Sequence, residues 1–234
     1  MPDPKPYTKT ILCFANSRRP DGLCFAGKEV ANGVTGAWIR PINAAHRNAI
    51  SDEDRQYEDE TLADVLDIAT VPMQAPRPNA HHREDHQIRA DQYWKKVGRA
   101  TWQQVVKATD KVTGSLWPNE TSSYHGLNDK VSEATATNQP GSLLLIAPTR
   151  LDLAVAMESQ FDGPDRRRVR AKFDFNGEQY NFVVTDPWIE VRYFAGDNGI
   201  YRVNGSRLCI SLPEIINGHS TKLVAAVITA ERAA

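Results

Sequence analysis

The dipeptide Asn176-Gly177 separates two runs, "RRVRAKFDF" and "YNFVVTD", in which apolar and polar residues alternate. Alternation with period two marks a half-buried strand, and Asn-Gly readily takes the positive φ angles of a tight hairpin turn. A one-residue slip in pairing would move every apolar side chain to the wet face, so this segment reads as an antiparallel hairpin with a fixed register. It commits at least this part of the chain to β structure.

Similar runs occur on both sides of it. Near the start, "KTILCFAN", "LCFAGKEV" and "AWIRPI" are joined by the turns "SRRPDG" and "ANGVTG", and "ADVLDIATVPM" reads as a further strand. In the first of these, Leu12 and Phe14 lie on one face and Ile11 and Cys13 on the other, as expected of a strand covered on both sides. From Pro72 to about Gly141 the character changes. "PMQAPRPNAHHREDHQ" is rich in Pro and His, while "TWQQVVKATD" has helix formers with Trp102, Val105 and Val106 on an apolar stripe. This stretch reads as an insert with one or two short helices.

After it come "SLLLIAPTRLDLAVAME", broken at Pro148, then the hairpin, and finally "RLCISL" and "KLVAAVITA". "PWIEVRYFAG" lies between the hairpin and the last two strands, with Pro187 suited to a first helical position and Gly196 to a terminus. The order β-β-β-α-β-β is that of an OB-fold, a small Greek-key barrel. The N-terminal half repeats it more loosely. The expectation is a mainly β chain with short helices, made of two OB-like Greek-key barrels plus a loop- and helix-rich connection. Residues 1–140 would form the first barrel with its insert, and residues 141–234 the second.

Charge narrows the function. Lys and Arg number 28 and Asp and Glu 29, so the overall field typical of a duplex-DNA coater is missing and any polyanion site is local. With 41% hydrophobic and 24% charged residues among 234, the composition is that of a globular protein. No run approaches the length of a membrane span, and "MPDPKPYTKT" lacks the apolar centre of a signal peptide, which points to a cytoplasmic protein without a membrane partner. Cys13, Cys24 and Cys209 sit in apolar or strand-like runs as structural thiols. "SDEDRQYEDE" carries six carboxylates against one arginine and reads as a solvated loop, whereas "DRRRVRAK" carries five cations against one acid.

In a strand, Arg166, Arg168, Arg170 and Lys172 point one way while Arg167, Val169, Ala171 and Phe173 point the other. The apolar set belongs to the core. That leaves a ladder of cations at steps of roughly 7 Å, close to the phosphate repeat of an extended single strand. Single-strand binders combine such grooves with aromatic stacking. The ladder could equally be an ion-paired wet face, with Asp152, Asp174 or Glu178 as partners. A second candidate joins Arg18 and Arg19, in the turn after the first strand, to Trp38 and Arg40 on the third, where Trp offers a stacking surface and Arg a phosphate fork. A Trp in a strand also belongs naturally to a core.

The remaining candidates are weaker. His81, His82 and His86, with Glu84 and Asp85 between, fit no metal-ligand spacing, so neither metal nor cofactor is expected. Tyr124, His125, Asn128 and Asp129 form either a small polar site or a turn bonding its own backbone. Gly22, Gly27 and Lys28 match part of a phosphate-loop motif, but the residues between them read as strand. No nucleophile with a partner base, carboxylate pair or dinucleotide fingerprint is present.

The phrases "TKTILCFANSRR", "GAWIRPI", "SSYHGLND", "YNFVVTDP" and "LCISL…KLVAAVI" resemble bacterial dual OB-containing domain proteins over nearly the whole chain. The resemblance implies two OB barrels and nucleic-acid binding in a bacterial defence or mobile-element setting, and it implies no reaction. The leading expectation is a non-enzymatic binder of single-stranded DNA or RNA through Arg18, Arg19, Trp38, Arg40, Arg166, Arg168, Arg170 and Lys172. Two alternatives stand beside it: a subunit that docks an acidic protein partner, and a nucleic-acid-processing enzyme using residues such as His125, Asp129 and Asp186.

Overall fold

A computed structural model describes residues 5–19, 21–159 and 163–234; Pro20 of the first expected turn lies outside them. The described chain divides into two compact units. One holds the residues up to Ala108 with Pro140–Ser142 and Ala233–Ala234, the other Thr109–Gln139 and Leu143–Arg232. Among the described residues no helix is long and apolar enough to cross a membrane.

The first unit contains β1 (Tyr7–Arg19), β2 (Gly22–Ala31), β3 (Val34–Ile42), β4 (Asp67–Pro76), β5 (Asp85–Ile88), β6 (Lys95–Arg99) and the short helix α1 (Trp102–Lys107). The long β1 serves two neighbours: its first half pairs with β4 and its second with β2. Together with β2–β3, the parallel β3–β5 pair and β5–β4, this closes the circuit β1-β2-β3-β5-β4-β1. Closure satisfies the backbone groups that an open sheet would leave on its edges. Ile11, Leu12, Cys13 and Phe14 are all buried, as a strand covered on both faces requires. At Gly27 a Cβ atom would lie 2.3 Å from the carbonyl oxygen of Leu12, so β1 and β2 approach closely enough there to admit only glycine.

The second unit contains β7 (Lys130–Ser132), α2 (Glu133–Thr137), β8 (Leu143–Ile146), β9 (Arg150–Glu158), β10 (Arg166–Phe175), β11 (Glu178–Val184), α3 (Pro187–Phe194), β12 (Gly199–Arg202), β13 (Arg207–Ser211), β14 (His219–Thr221) and β15 (Leu223–Ile228). Its main sheet runs β12-β9-β10-β11-β15-β13-β8, and β7 pairs with β14 separately. Since β8 and β9 are the two halves of the run broken at Pro148, the circuit is again first-second-third-fifth-fourth-first, with a parallel third–fifth pair. Both units are therefore OB barrels. Inside the second, Phe173 stacks on Tyr180 at 5.1 Å between ring centres and meets Phe182 edge-on at 5.3 Å. Each such ring contributes roughly 1.5–3 kcal/mol through burial.

The expected hairpin forms as read: β10 and β11 pair antiparallel around Asn176 and Gly177, both at positive φ. Helix α3 begins at Pro187, as expected, with Asp186 accepting from the Trp188 amide.

Three expectations are corrected. The fifth strand of the first barrel, β5, and also β6 come from the stretch read as an insert, because β5 ("DHQI") and β6 ("KKVGR") are short and mostly polar and so lack a strand's usual apolar signal. Residues 109–139, expected with the first barrel, belong to the second compact unit, and Pro140–Ser142 belong to the first. In α1 only Val105 is fully buried, while Val106 is exposed, because a helix of six residues presents one narrow face. The acidic loop is not wholly solvated. Asp54 within it is buried and accepts from Asn43 Nδ2 at 2.9 Å and from the Ser51 amide at 3.0 Å.

Candidate nucleic-acid interface

The register of β9, β10 and β11 defines the outer face of the second barrel. Val169, Ala171 and Phe173 are buried, which turns Arg166, Arg168, Arg170 and Lys172 outward. Across from them on β9 stand Glu158, Ala156, Ala154 and Asp152, with Arg150 opposite Asp174. On the far side of β9, Arg202 of β12 is level with Asp152. Among the described residues, six cations and three carboxylates thus share one face. In barrels of this kind, the face of the second and third strands is the usual seat of oligonucleotides.

The charges are arranged unevenly. Arg170 binds Glu158 in a two-pronged pair, Nε to Oε1 at 2.5 Å and Nη2 to Oε2 at 3.1 Å, and Arg168 Nε lies 4.0 Å from the same carboxylate. Arg170 is only 12% exposed, and its Nη1 has no hydrogen-bond partner. Asp152 takes Arg202 on one side and Arg150, at 2.8 Å, on the other. The Arg202 hydrogen bond, joined by that of Arg150, outweighs partial burial and holds the Asp152 carboxyl below its ordinary range. Among the described residues no carboxylate lies within ion-pair distance of Arg166 or Lys172, at the two ends of the ladder. The face is accordingly part ion-paired and part open, and its principal internal anion is Glu158, which sequence reasoning did not single out.

Two clefts open along this face. One, of about 590 Å³, is lined by Lys172, Arg150, Arg202 and Asp152, with Leu127 and Ile200 as apolar walls. The other, of about 630 Å³, is lined by Arg168, Arg170, Glu158 and Val183 together with Tyr124 and His125. The segment 123–129 reaches the face by pairing with β11: Leu127 and Asn181 exchange backbone bonds at 3.2 Å, and Asn181 Nδ2 donates to the His125 carbonyl at 2.7 Å.

Ser123 to Gly126 form a turn closed by the Gly126 amide donating to the Ser123 carbonyl at 3.0 Å. Asp129 locks it, accepting from the Ser123 amide at 2.7 Å and its hydroxyl at 2.5 Å. A Cβ at position 126 would fall 1.9 Å from the Asp129 carboxylate, so glycine is required. The turn reading of these residues is therefore the observed one, and it lifts Tyr124 and His125 at its tip. Their shared position beside the ladder had no signal in the linear sequence, because the pairing with β11 is long-range.

Arg167, on the opposite side of β10, donates to the carbonyls of Phe194 and Gly196 and to Asn198, closing the C-terminal end of α3. The first-barrel candidates are dispersed. Arg40 is 5% exposed and ion-paired at 2.6 Å with Asp85, with Glu84 at 3.8 Å, and it donates to Ser142 Oγ at 3.4 Å. It is an internal strut rather than a phosphate fork, because those two carboxylates enter with β5. Trp38 is half-buried, edge-on to Phe14 at 5.9 Å and under the Lys28 ammonium at 5.3 Å. Arg18 and Arg19 end β1 rather than occupy the turn. Arg18 is exposed, and Arg19 donates to the carbonyls of Arg47 and Asn48.

The residues considered for catalysis have other tasks. Asp129 closes the turn, His125 Nε2 donates to the Ser159 carbonyl at 3.2 Å, and Asp186 is buried against Arg232 at 2.5 Å. Tyr7 Oη and His86 Nδ1 share a 2.5 Å hydrogen bond, and burial, with Lys9 nearby, pushes the His86 pKa down. Among the described residues no group of three or more His, Cys, Asp or Glu side chains is placed to hold a metal ion.

The family model for the dual OB-containing domain matches residues 9–227. A search of curated proteins returned no match, and a search of solved structures returned none either. Two barrels of the same strand circuit and a family model spanning nearly the whole chain lead to one assignment: the chain belongs to the dual OB-containing domain family.

Proposed function

We propose that the second barrel binds single-stranded nucleic acid along the outer face of β9, β10 and β11. The observation that carries this reading is the excess of cations on that face and the adjoining β12, six against three carboxylates among the described residues, with four of the cations on β10, whose alternate residues step by roughly 7 Å. Arg166 and Lys172 would meet phosphates directly. Arg168 and Arg170 would do so by releasing Glu158, exchanging one anion for another. The near-neutral chain fits a modest affinity governed by local charge. A bacterial defence or mobile-element setting, implied by the resemblance, is compatible with such a binder.

The test is fluorescence anisotropy with labelled single-stranded DNA, single-stranded RNA and duplex over a salt series. Arg166→Ala/Lys172→Ala is the variant of choice, since neither side chain holds the fold together. Wild type should bind single strands with an affinity that falls as salt rises. The double variant should bind more weakly, with a slope of log K against log salt shallower by about 1.4, at about 0.7 for each phosphate no longer neutralised. Absence of binding at low salt, or affinity indifferent to salt, would overturn the reading.

A further inference from the structure

We infer, on the footing of that reading, that Tyr124 stacks on an unpaired base and gives the groove its preference for single strands. Three observations converge. Tyr124, at the tip of a locked turn, is 90% exposed. The ring is positioned in advance: Asp129 and Gly126 fix the turn, and His125, tied to the Ser159 carbonyl, meets the phenol edge-on at 4.6 Å and 70°. Finally, Tyr124 shares its cleft with Arg168 and Arg170, so a nucleotide whose phosphate sits on the arginines has its base within the same space.

An aromatic face beside cations suits a base more closely than it suits an acidic side chain, which has no ring to stack. It also discriminates strands. In a duplex the bases are already stacked on one another, and only an unpaired base has a face to offer. Because every base has such a face, the contact is tolerant of sequence.

The experiment compares a labelled oligothymidylate with an abasic oligonucleotide of the same length, which carries the phosphates without the bases. Wild type should bind oligothymidylate more tightly than the abasic strand. Tyr124→Ala should lose roughly 5- to 150-fold on oligothymidylate and leave abasic binding unchanged, while Tyr124→Phe and Tyr124→Trp retain the wild-type preference. Equal loss on both strands, or no loss on either, would overturn the stacking role while leaving the phosphate groove standing. Failure of wild type to bind either strand would overturn the groove, and the stacking role with it.

Discussion

Lys222 carries an ammonium group with no solvent exposure. It donates to the Pro118 carbonyl and to Asn119 Oδ1, each at 3.1 Å, and lies about 6 Å from the Tyr180 and Phe182 ring centres. Burial lowers its pKa from 10.5 to about 8, against the opposing pull of Asp129 and Glu120. Between those two values the unfolded chain holds a proton that the folded chain has shed, so this residue adds stability as pH rises through the window. Relative to Lys222→Met, wild type should gain on the order of 3 kcal/mol between pH 8 and pH 10.5, read from urea unfolding curves. A constant difference would show that the ammonium is not buried as described. Glu158 is the other residue with a singular position, since it lies between Arg168 and Arg170, and on the proposed reading a phosphate would have to displace it. Glu158→Gln should therefore raise single-strand affinity roughly fivefold, as for a pair worth about 1 kcal/mol, in the same anisotropy assay.

At the level of elements, α3 is held at its start by one carboxylate with three tasks. Asp186 accepts from the Trp188 amide, from the Val227 amide and from Arg232. Asp186→Ala takes the carboxylate away from the buried Arg232 guanidinium and should lower stability by on the order of 3–5 kcal/mol. Asp186→Asn, which keeps an acceptor for the helix, should lose less. Pro187 made this helix legible in the sequence, as Asn176-Gly177 did the hairpin, because both act through local backbone geometry. The alternation of β10 was legible for the same reason, down to the separation of Arg167 from its neighbours. Strand β5 was not, since its polar residues are buried by partners remote in sequence: Arg40 meets Asp85 across 45 positions. The same distance concealed the Tyr124 turn, which becomes part of the face only by pairing with β11.

For the whole molecule, the two barrels share a strand circuit and differ in how they use it. The second presents cations along its outer face, whereas in the first Arg40 is internal and Trp38 packs on Phe14. Unit boundaries set a further expectation. A fragment beginning at Leu143 lacks Leu116, whose amide donates to Tyr180 Oη, and also the acceptors of Lys222. It should show poorly dispersed amide signals by NMR, whereas a fragment retaining Thr109 onward should be better ordered.

The chain leaves the first unit after Ala108, revisits it at Pro140–Ser142, where Ser142 bonds Glu84, and does so again at its end. For inheritance this means that no single crossover within the gene can separate the two barrels cleanly. A recombinant joined after Ala108 would leave the first unit without Pro140–Ser142, and so without the hydroxyl that bonds Glu84.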